Sequence, residues 1–210
     1  MALSGWKRAA LVLFLLYSAA HLVYSIQHYN PVTARFYTDC SLLTADEEVT
    51  SAVHGVFNFL TAYAERGDYS PLQVAPLDLG EKTLSLIARE TEHARKGRPA
   101  RIIAKMNALL DKNIIQALYR ASQAGVEIDL IVRGMCALRP GIRGVSDRIR
   151  VRSVVGRLLE HSRIFYFQNG AGSSGHSGSG SSGSHSQNGS QEEMYLCSGD
   201  WMPRNLYERV

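Results

Sequence analysis

The sequence predicts an α/β fold built on a mixed sheet, and three features carry that prediction. An apolar run at Arg101–Met106 and an alternating V-E-I-D-L-I-V run at 126–132 flank a helical pattern over 111–124, the strand–helix–strand signature of a crossover unit. Two more strand patterns follow at 149–155 and 162–167, and a last short one at 194–197. The connections within the crossover unit are short, so the strands pack into one sheet flanked by helices.

In chain order, Lys7 and Arg8 precede an apolar run over 9–16 that thins out through Ala19, Ala20, Leu22, Val23 and Ile26. The strongly apolar part falls short of the roughly 20 residues of a membrane span. A basic start, a short apolar middle and small residues at 18–20 read as a signal peptide, as an anchor, or as a segment foreign to the domain. Asn30 and Pro31 open an extended segment, because proline disfavours α for its predecessor. T-A-D-E at 44–47 starts a helix, as a capping box or with Asp46 as cap, and Val49, Val53, Val56, Phe57 and Leu60 form its apolar stripe. Gly67 and Asp68 end it. A short apolar stretch over 72–75 precedes Pro76, and a second helix runs over about 79–93, with Leu84, Ile87 and Ala88 inward and its stop at Gly97.

The helix over 111–124 carries Ile114, Ile115, Leu118 and Ala121 on one face, with Gly125 placed as its C-terminal stop. Residues 156–160 read as a turn or helical segment between two strands. The tract 170–190 contains 16 glycines and serines among 21 residues and reads as a flexible linker, a long hairpin insertion between neighbouring strands. His176 and His185 within it are incidental, and it lacks the G-K-[ST] of a phosphate-binding loop.

Composition narrows the function. Hydrophobic residues make up 45% and charged residues 20%, as in ordinary globular domains. The net charge of +4 is unevenly spread: the window 133–163 holds eight arginines, no lysine and only Asp147 and Glu160 as acids, so it carries +6 against −2 elsewhere. Such a stripe is the footprint of a polyanion site, with a solvated arginine-rich surface as the alternative. Cys40, Cys136 and Cys197 form no C-x-x-C pair, so neither zinc nor a disulfide framework is signalled, and a reducing compartment suits the folded part.

His161 and Arg163 project together from the beginning of a predicted strand. An imidazole donates to an oxyanion or moves a proton near neutral pH, and a guanidinium grips phosphate oxygens in pairs. Arg133 closes a buried strand, at the carboxyl edge where open α/β sheets bind ligands. Arg150 and Arg152 share one strand face. Arginines converging without carboxylate partners describe a phosphate site. No Walker motif, kinase catalytic loop or G-x-S-x-G elbow occurs.

The stretches R-I-I-A-K-M-N-A-L-L-D (101–111), L-Y-R-A-S-Q-A-G-V-E-I-D-L-I-V-R-G-M-C-A-L-R-P-G (118–141), I-R-V-R-S-V-V-G-R-L-L-E-H-S-R-I-F-Y-F (149–167) and Y-L-C-S-G-D-W-M-P-R-N-L (195–206) resemble the C-terminal part of bacterial polyphosphate kinase. Y-N-P-V-T-A-R-F-Y-T-D-C-S-L-L-T-A-D (29–46) does as well, so the resemblance runs from about Tyr29 to Val210 around the linker. It implies a phospholipase-D-like fold of two similar lobes, with 1–28 as the apolar segment, 29–66 as a remnant of the first lobe and 67–210 as the second. The implied activity is reversible transfer of the terminal phosphate of ATP to polyphosphate through a phosphohistidine. Tyr37, Arg133 and His161 match ATP-contacting positions, His161 as the catalytic one, and Asp39, Arg163 and Arg209 are further carry-overs. ATP or ADP and inorganic polyphosphate are the implied partners, with no nucleic acid; Mg2+ is the implied cofactor, held by positions upstream of the matching region.

This sequence departs from the family pattern in lacking the H-A-K motif of the phosphorylated histidine and the G-T-G-N before Tyr29. By mechanism the 210 residues alone are expected not to form the phosphoenzyme. Two alternatives stand: a catalytically inactive polyphosphate- or nucleotide-binding module, and a phospholipase-D-type phosphodiesterase, against which Arg163 in place of the lysine of H-x-K counts. The implied location is cytoplasmic or peripheral to the inner membrane, with association through 9–26 and self-association left open.

Overall fold

The computed structural model describes residues 17–18, 37–61, 65, 67–171 and 191–208. The chain divides into two compact units, 1–36 and 37–210. In the first, only Tyr17 and Ser18 are described, both helical, so the apolar segment expected over 1–28 otherwise lies outside the described residues. Among the described residues, no helix is long and apolar enough to cross a membrane.

The second unit contains β1 (Tyr37–Thr38), α1 (Glu47–Leu60), α2 (Leu79–Arg95), β2 (Arg101–Met106), α3 (Lys112–Ala124), β3 (Glu127–Val132), β4 (Ile149–Arg152), β5 (Leu159–Glu160), β6 (Arg163–Phe167), β7 (Glu193–Cys197) and a π-helical turn at Arg204–Glu208. Five strands form one mixed sheet in the order β4-β3-β2-β6-β7. β2, β3 and β4 are parallel, whereas β6 is antiparallel to both β2 and β7. The expected α/β fold and the strand–helix–strand unit are therefore present, and the 170–190 tract joins antiparallel neighbours as anticipated; its residues 172–190 lie outside the described set.

Period-two alternation decides which face is covered. Ile102, Ala104 and Met106 of β2, Ile128, Leu130 and Val132 of β3, and Phe165 and Phe167 of β6 join Ile87, Ile114, Leu118 and Ala121 of the two helices in one core. Each fully buried aliphatic or aromatic side chain there contributes about 1.5–3 kcal/mol. Trp201, 1% exposed, stacks on Phe165 with ring centroids 4.8 Å apart. The opposite face is half-exposed and carries charge: Asp129 receives Arg101 at 2.7 Å and Arg150 at 2.9 Å.

Local chemistry fixes the helix ends. The Asp46 carboxylate accepts the Val49 N–H at 3.0 Å and that of Asp111 accepts the Ile114 N–H at 2.9 Å, each satisfying a donor that a helix leaves free. Gly125 ends α3 with φ +107°, a conformation that a Cβ disfavours.

Four expectations need correction. Ala88 is exposed, whereas Ile87 is buried and Leu84 packs half-buried against the core as expected; Thr83, Glu90 and Thr91 are buried beside them. A glutamate takes an inward place because its carboxylate accepts the backbone N–H groups of Asn169 at 2.7 Å and Arg101 at 3.2 Å. β4 stops at Arg152 because its partner β3 stops at Val132. Residues 159 and 160, expected in a turn or helical segment, form β5, which pairs in parallel with β1. The stripe on α1 is not packed away: Val53, Phe57 and Leu60 stay exposed.

Asp111 joins two loops as well as capping α3, since its own N–H and that of Leu110 both donate to the Trp201 carbonyl. Asp111→Ala should lower the unfolding free energy by about 1–2 kcal/mol, with Asp111→Asn retaining most of it. A urea midpoint unchanged by the alanine would remove the cap from this account.

Candidate functional site

Strand direction gathers the site. β2, β3, β4 and β7 run one way and β6 the other, so the beginning of β6 lies at the same sheet edge as the ends of the other four. That edge carries Asn107 after β2, Arg133 after β3, Ser153 after β4, Asp200 after β7, and His161 just before β6.

His161 sits in the two-residue gap between β5 and β6, and its N–H donates to the Thr38 carbonyl at 2.8 Å. The β1–β5 pairing thus delivers Tyr37 and Asp39. The Tyr37 ring meets the imidazole edge-on, centroids 4.8 Å apart at 69°. Asp39 Oδ2 lies 2.8 Å from His161 Nδ1. That hydrogen bond, aided by the Cys40 N–H, holds the Asp39 carboxyl below its usual range. With Nδ1–H donating to Asp39, Nε2 is the acceptor nitrogen of the ring, and it faces the Arg163 Nη1 and Nη2 groups, each at 3.4 Å.

The Arg163 Nε and Nη2 groups donate to Asp200 at 2.9 and 3.0 Å, in a pair whose side chains are only 10% and 9% exposed. Nη1 donates to the His161 carbonyl at 3.2 Å and lies 3.4 Å from Nε2. Burial pushes the Asp200 carboxyl up, but the hydrogen bonds from Arg163 and from the Asn107 N–H outweigh it and hold it low. Asn107 Nδ2 reaches the His161 carbonyl at 3.4 Å. Lys105 Nζ grips the residues on either side, Ser162 Oγ at 2.5 Å and Glu160 Oε2 at 3.4 Å. His161 is therefore fixed through its backbone, its neighbours and its ring.

Arg133 stands beside this assembly. Its N–H donates to the Met106 carbonyl at 3.1 Å, and the next N–H, of Gly134, donates to that of Asn107 at 2.8 Å. Arg133 Nη1 is buried with no hydrogen-bond partner. A buried guanidinium donor left unsatisfied is costly, and an anionic oxygen is the partner it lacks. A cavity of about 600 Å³ opens at this edge, lined by Asp39, His161, Arg163 and Cys197 together with apolar groups such as Leu42 and Leu72.

Contacts join Tyr37, Asp39, His161 and Arg163; Arg133 lies at the same edge but two strands away, at the end of β3, and is not among the residues lining that cavity. Arg209 lies outside the described residues. The expectation that the arginines lack carboxylate partners is overturned for three: Arg163 pairs with Asp200, Arg150 with Asp129 and Arg148 with Glu127. The acids come from β3 and from the loop after β7, distant in sequence, so a charge count within one window could not reveal them. Asn107, Lys105 and Asp200 were not singled out from the sequence; the signal for Asp200 and Asn107 is a polar residue directly after an apolar strand. Among the described residues no group of three or more His, Cys, Asp or Glu could hold a metal, and the carboxylates at this edge are engaged by His161 and Arg163. Magnesium does not fit the described residues.

The family model described as polyphosphate kinase C-terminal domain 2 matches residues 72–181, and that of polyphosphate kinase C-terminal domain 1 matches 18–66. The chain is 54% identical over 183 residues to a polyphosphate kinase of Thermosynechococcus vestitus, covering 87% of this chain and 22% of the relative. It is 47% identical to one of Neisseria meningitidis serogroup B, with coverages of 87% and 24%. The crystal structure of polyphosphate kinase from Porphyromonas gingivalis is similar with a TM-score of 0.71 at 43% identity, over 86% of this chain and 25% of that one. The chain thus spans about a quarter of the length of these relatives.

Asp200→Ala leaves the Arg163 guanidinium nearly buried without its carboxylate and should cost about 3–5 kcal/mol. The depressed carboxyl also sets an acid dependence. Its stabilising share is complete above the ordinary carboxylate range near pH ~4 and is lost as pH falls through the lower folded value. Chemical denaturation across acid pH should therefore show a shallower decline for Asp200→Asn, and identical slopes in both proteins would refute the pairing.

Proposed function

Because the chain belongs to the polyphosphate kinase family, we propose that this edge binds the phosphates of ATP and polyphosphate during phosphoryl transfer between them. The observation that carries the reading is the unpartnered, buried Nη1 of Arg133 at the edge where Asp39 fixes the His161 ring. When the bond between the γ-phosphorus and its bridging oxygen breaks, charge develops on oxygens that preorganised donors stabilise. Arg133 supplies such a donor to the moving phosphoryl group. His161 meets the same oxygens through Nε2, as hydrogen-bond partner or proton carrier, and Arg163 adds positive potential from beside the ring. Tyr37, 63% exposed, offers its free face or hydroxyl to the nucleotide. Arg209 is assigned to the phosphates by family likeness alone.

Family chemistry proceeds through a phosphohistidine in an H-A-K motif, and none of these 210 residues forms one. The chain is accordingly read as the lobe that holds nucleotide and acceptor opposite that histidine, with 29–66 as the end of the first lobe and 67–210 as the second. The change of family match between residues 66 and 72 supports this division. Magnesium arrives with the nucleotide on this reading. Cys40, Cys136 and Cys197 are unpaired, in keeping with a reducing compartment, the cytoplasm or the inner face of its membrane.

Incubated with γ-labelled ATP, the 210-residue chain should bind nucleotide yet acquire no acid-labile, base-stable label; such a label would refute the assigned role. Arg133→Ala should weaken ATP binding by about tenfold, the scale of a charge-assisted hydrogen bond. Unchanged affinity in calorimetry would take Arg133 out of the site.

A further inference from the structure

Two ionisable side chains of α2 are buried at the end of the sheet remote from His161. Glu90 is fully buried and His93 is 7% exposed. Both meet the turn 168–171, which follows β6 and opens the connection to β7. Glu90 Oε1 accepts the Asn169 N–H at 2.7 Å, while Oε2 accepts the Arg101 N–H at 3.2 Å. Asn169 Nδ2 donates to the Gln191 carbonyl at 3.1 Å and to Glu193 Oε1 at 3.2 Å. The turn thus fastens α2 and the beginning of β2 to both strands of the β6–β7 hairpin.

His93 makes no such bond at its inner nitrogen: Nδ1 is buried without a hydrogen-bond partner. Gly170 closes over the ring with φ +70°, and a methyl group there would stand 2.7 Å from Nδ1. A residue without Cβ suits both the backbone angle and the close approach. A neutral imidazole protonated at Nε2 leaves Nδ1 a bare acceptor, whereas a second proton places a charged donor there with nothing to receive it. The charged neighbours do not relieve this. Arg89 stands on the same helix, Lys96 caps it and Arg98 follows. The acids nearby are engaged: Glu193 of β7 by Arg89 at 2.7 Å, Glu92 by Lys96 at 3.0 Å, and Glu90 by its two backbone N–H groups. Burial first, and then the Arg98 charge, hold the imidazole below its usual range, and the Asn169 carboxamide offsets this only in part.

We propose that His93 and Gly170 form a proton-sensitive latch, which closes the far end of the β6–β7 hairpin at neutral pH and releases the turn 168–171 when the imidazole is protonated. With the turn open the ring is solvated and titrates near its ordinary value of about 6.5; in the closed latch it titrates lower. The open form binds more protons between those two values, so closure is complete above pH ~6.5 and weakens as pH falls toward the lower one. Glu90 is the other titrating group at the turn, its carboxyl raised by burial, and substitution at position 93 separates its contribution. Tyr166 and Tyr195 on the adjoining strands are pushed further up by burial and stay neutral in this range. The same hairpin begins at Arg163 and leads to Asp200, but the latch acts at its other end and stands whether or not the His161 edge binds phosphate.

Amide hydrogen exchange read by NMR tests the latch on the 210-residue chain. Protection factors, which remove the intrinsic pH dependence of exchange, are measured at Asn169, Ala171 and Arg101 between pH ~7.5 and ~5.5, on either side of the ordinary histidine value. They should fall several-fold across this range, while that of Leu130 in β3 stays within about twofold. His93→Gln should flatten the dependence and keep the neutral-pH protection throughout. Gly170→Ala, which brings a methyl group onto the ring, should lower protection at every pH in the range. Circular dichroism checks that both variants fold. The latch is refuted if Asn169 loses no protection in the unsubstituted chain, if His93→Gln retains the loss, if Gly170→Ala stays fully protected, or if Leu130 falls in step, since the opening would then be global.

Discussion

One carboxylate holds the edge of this sheet together. Asp200 follows β7, receives both the Nε and Nη2 groups of Arg163 at the start of β6, and accepts the Asn107 N–H at the end of β2 at 2.8 Å. Three strands are thereby tied at the point where the sheet stops supplying its own hydrogen bonds. A nearly buried ion pair is a weak source of net stability compared with apolar packing, but removing either partner is costly. Its effect here is geometric. With Arg163 held, its remaining amino group turns to the His161 carbonyl and ring, and His161 sits in a defined place rather than on a free loop.

Charge at this edge is consequently of two kinds. Arg163, Arg150 and Arg148 are spent on carboxylates within the fold, two of them on the half-exposed sheet face through Asp129 and Glu127. Arg133 keeps its potential for something outside the chain. A phosphate ligand needs both kinds. A compensated arginine, Arg163, positions the imidazole, and uncompensated ones attract the anion. The +6 of the window overstates the attraction, since three of its charges are cancelled by acids from elsewhere.

The elements legible in the sequence are those whose cause is local. Asp46 and Asp111 cap helices within three residues, Gly125 stops α3 through its own backbone freedom, and alternation in β2 and β3 follows from one covered face. What escaped notice depends on distant partners. β5 is two residues long, with no periodicity to detect, and exists because β1 pairs with it. Glu90 lies inward because two backbone N–H groups, one of them 79 residues away, reach its carboxylate. At the site, His161, Arg163 and Arg133 were readable from residue type and strand position, whereas Asp200 and Asn107 acquire meaning only when three strand ends meet.

The same distinction bears on what family likeness transfers. Asp39 and His161 are 122 residues apart, and closing a loop of that length costs entropy that grows slowly with length. A two-residue parallel strand recovers little of it, so β1 alone is a weak tether for Asp39. The contact persists because several weak terms act at one place: the β1–β5 bonds, the His161 N–H on Thr38, the Tyr37 ring against the imidazole and the Asp39 hydrogen bond. Each orders groups that the next also needs, so the later terms meet a smaller entropic cost. Orientation of the imidazole is a property of the segment around Tyr37 and of the β5–β6 connection acting jointly, and neither fixes the ring by itself.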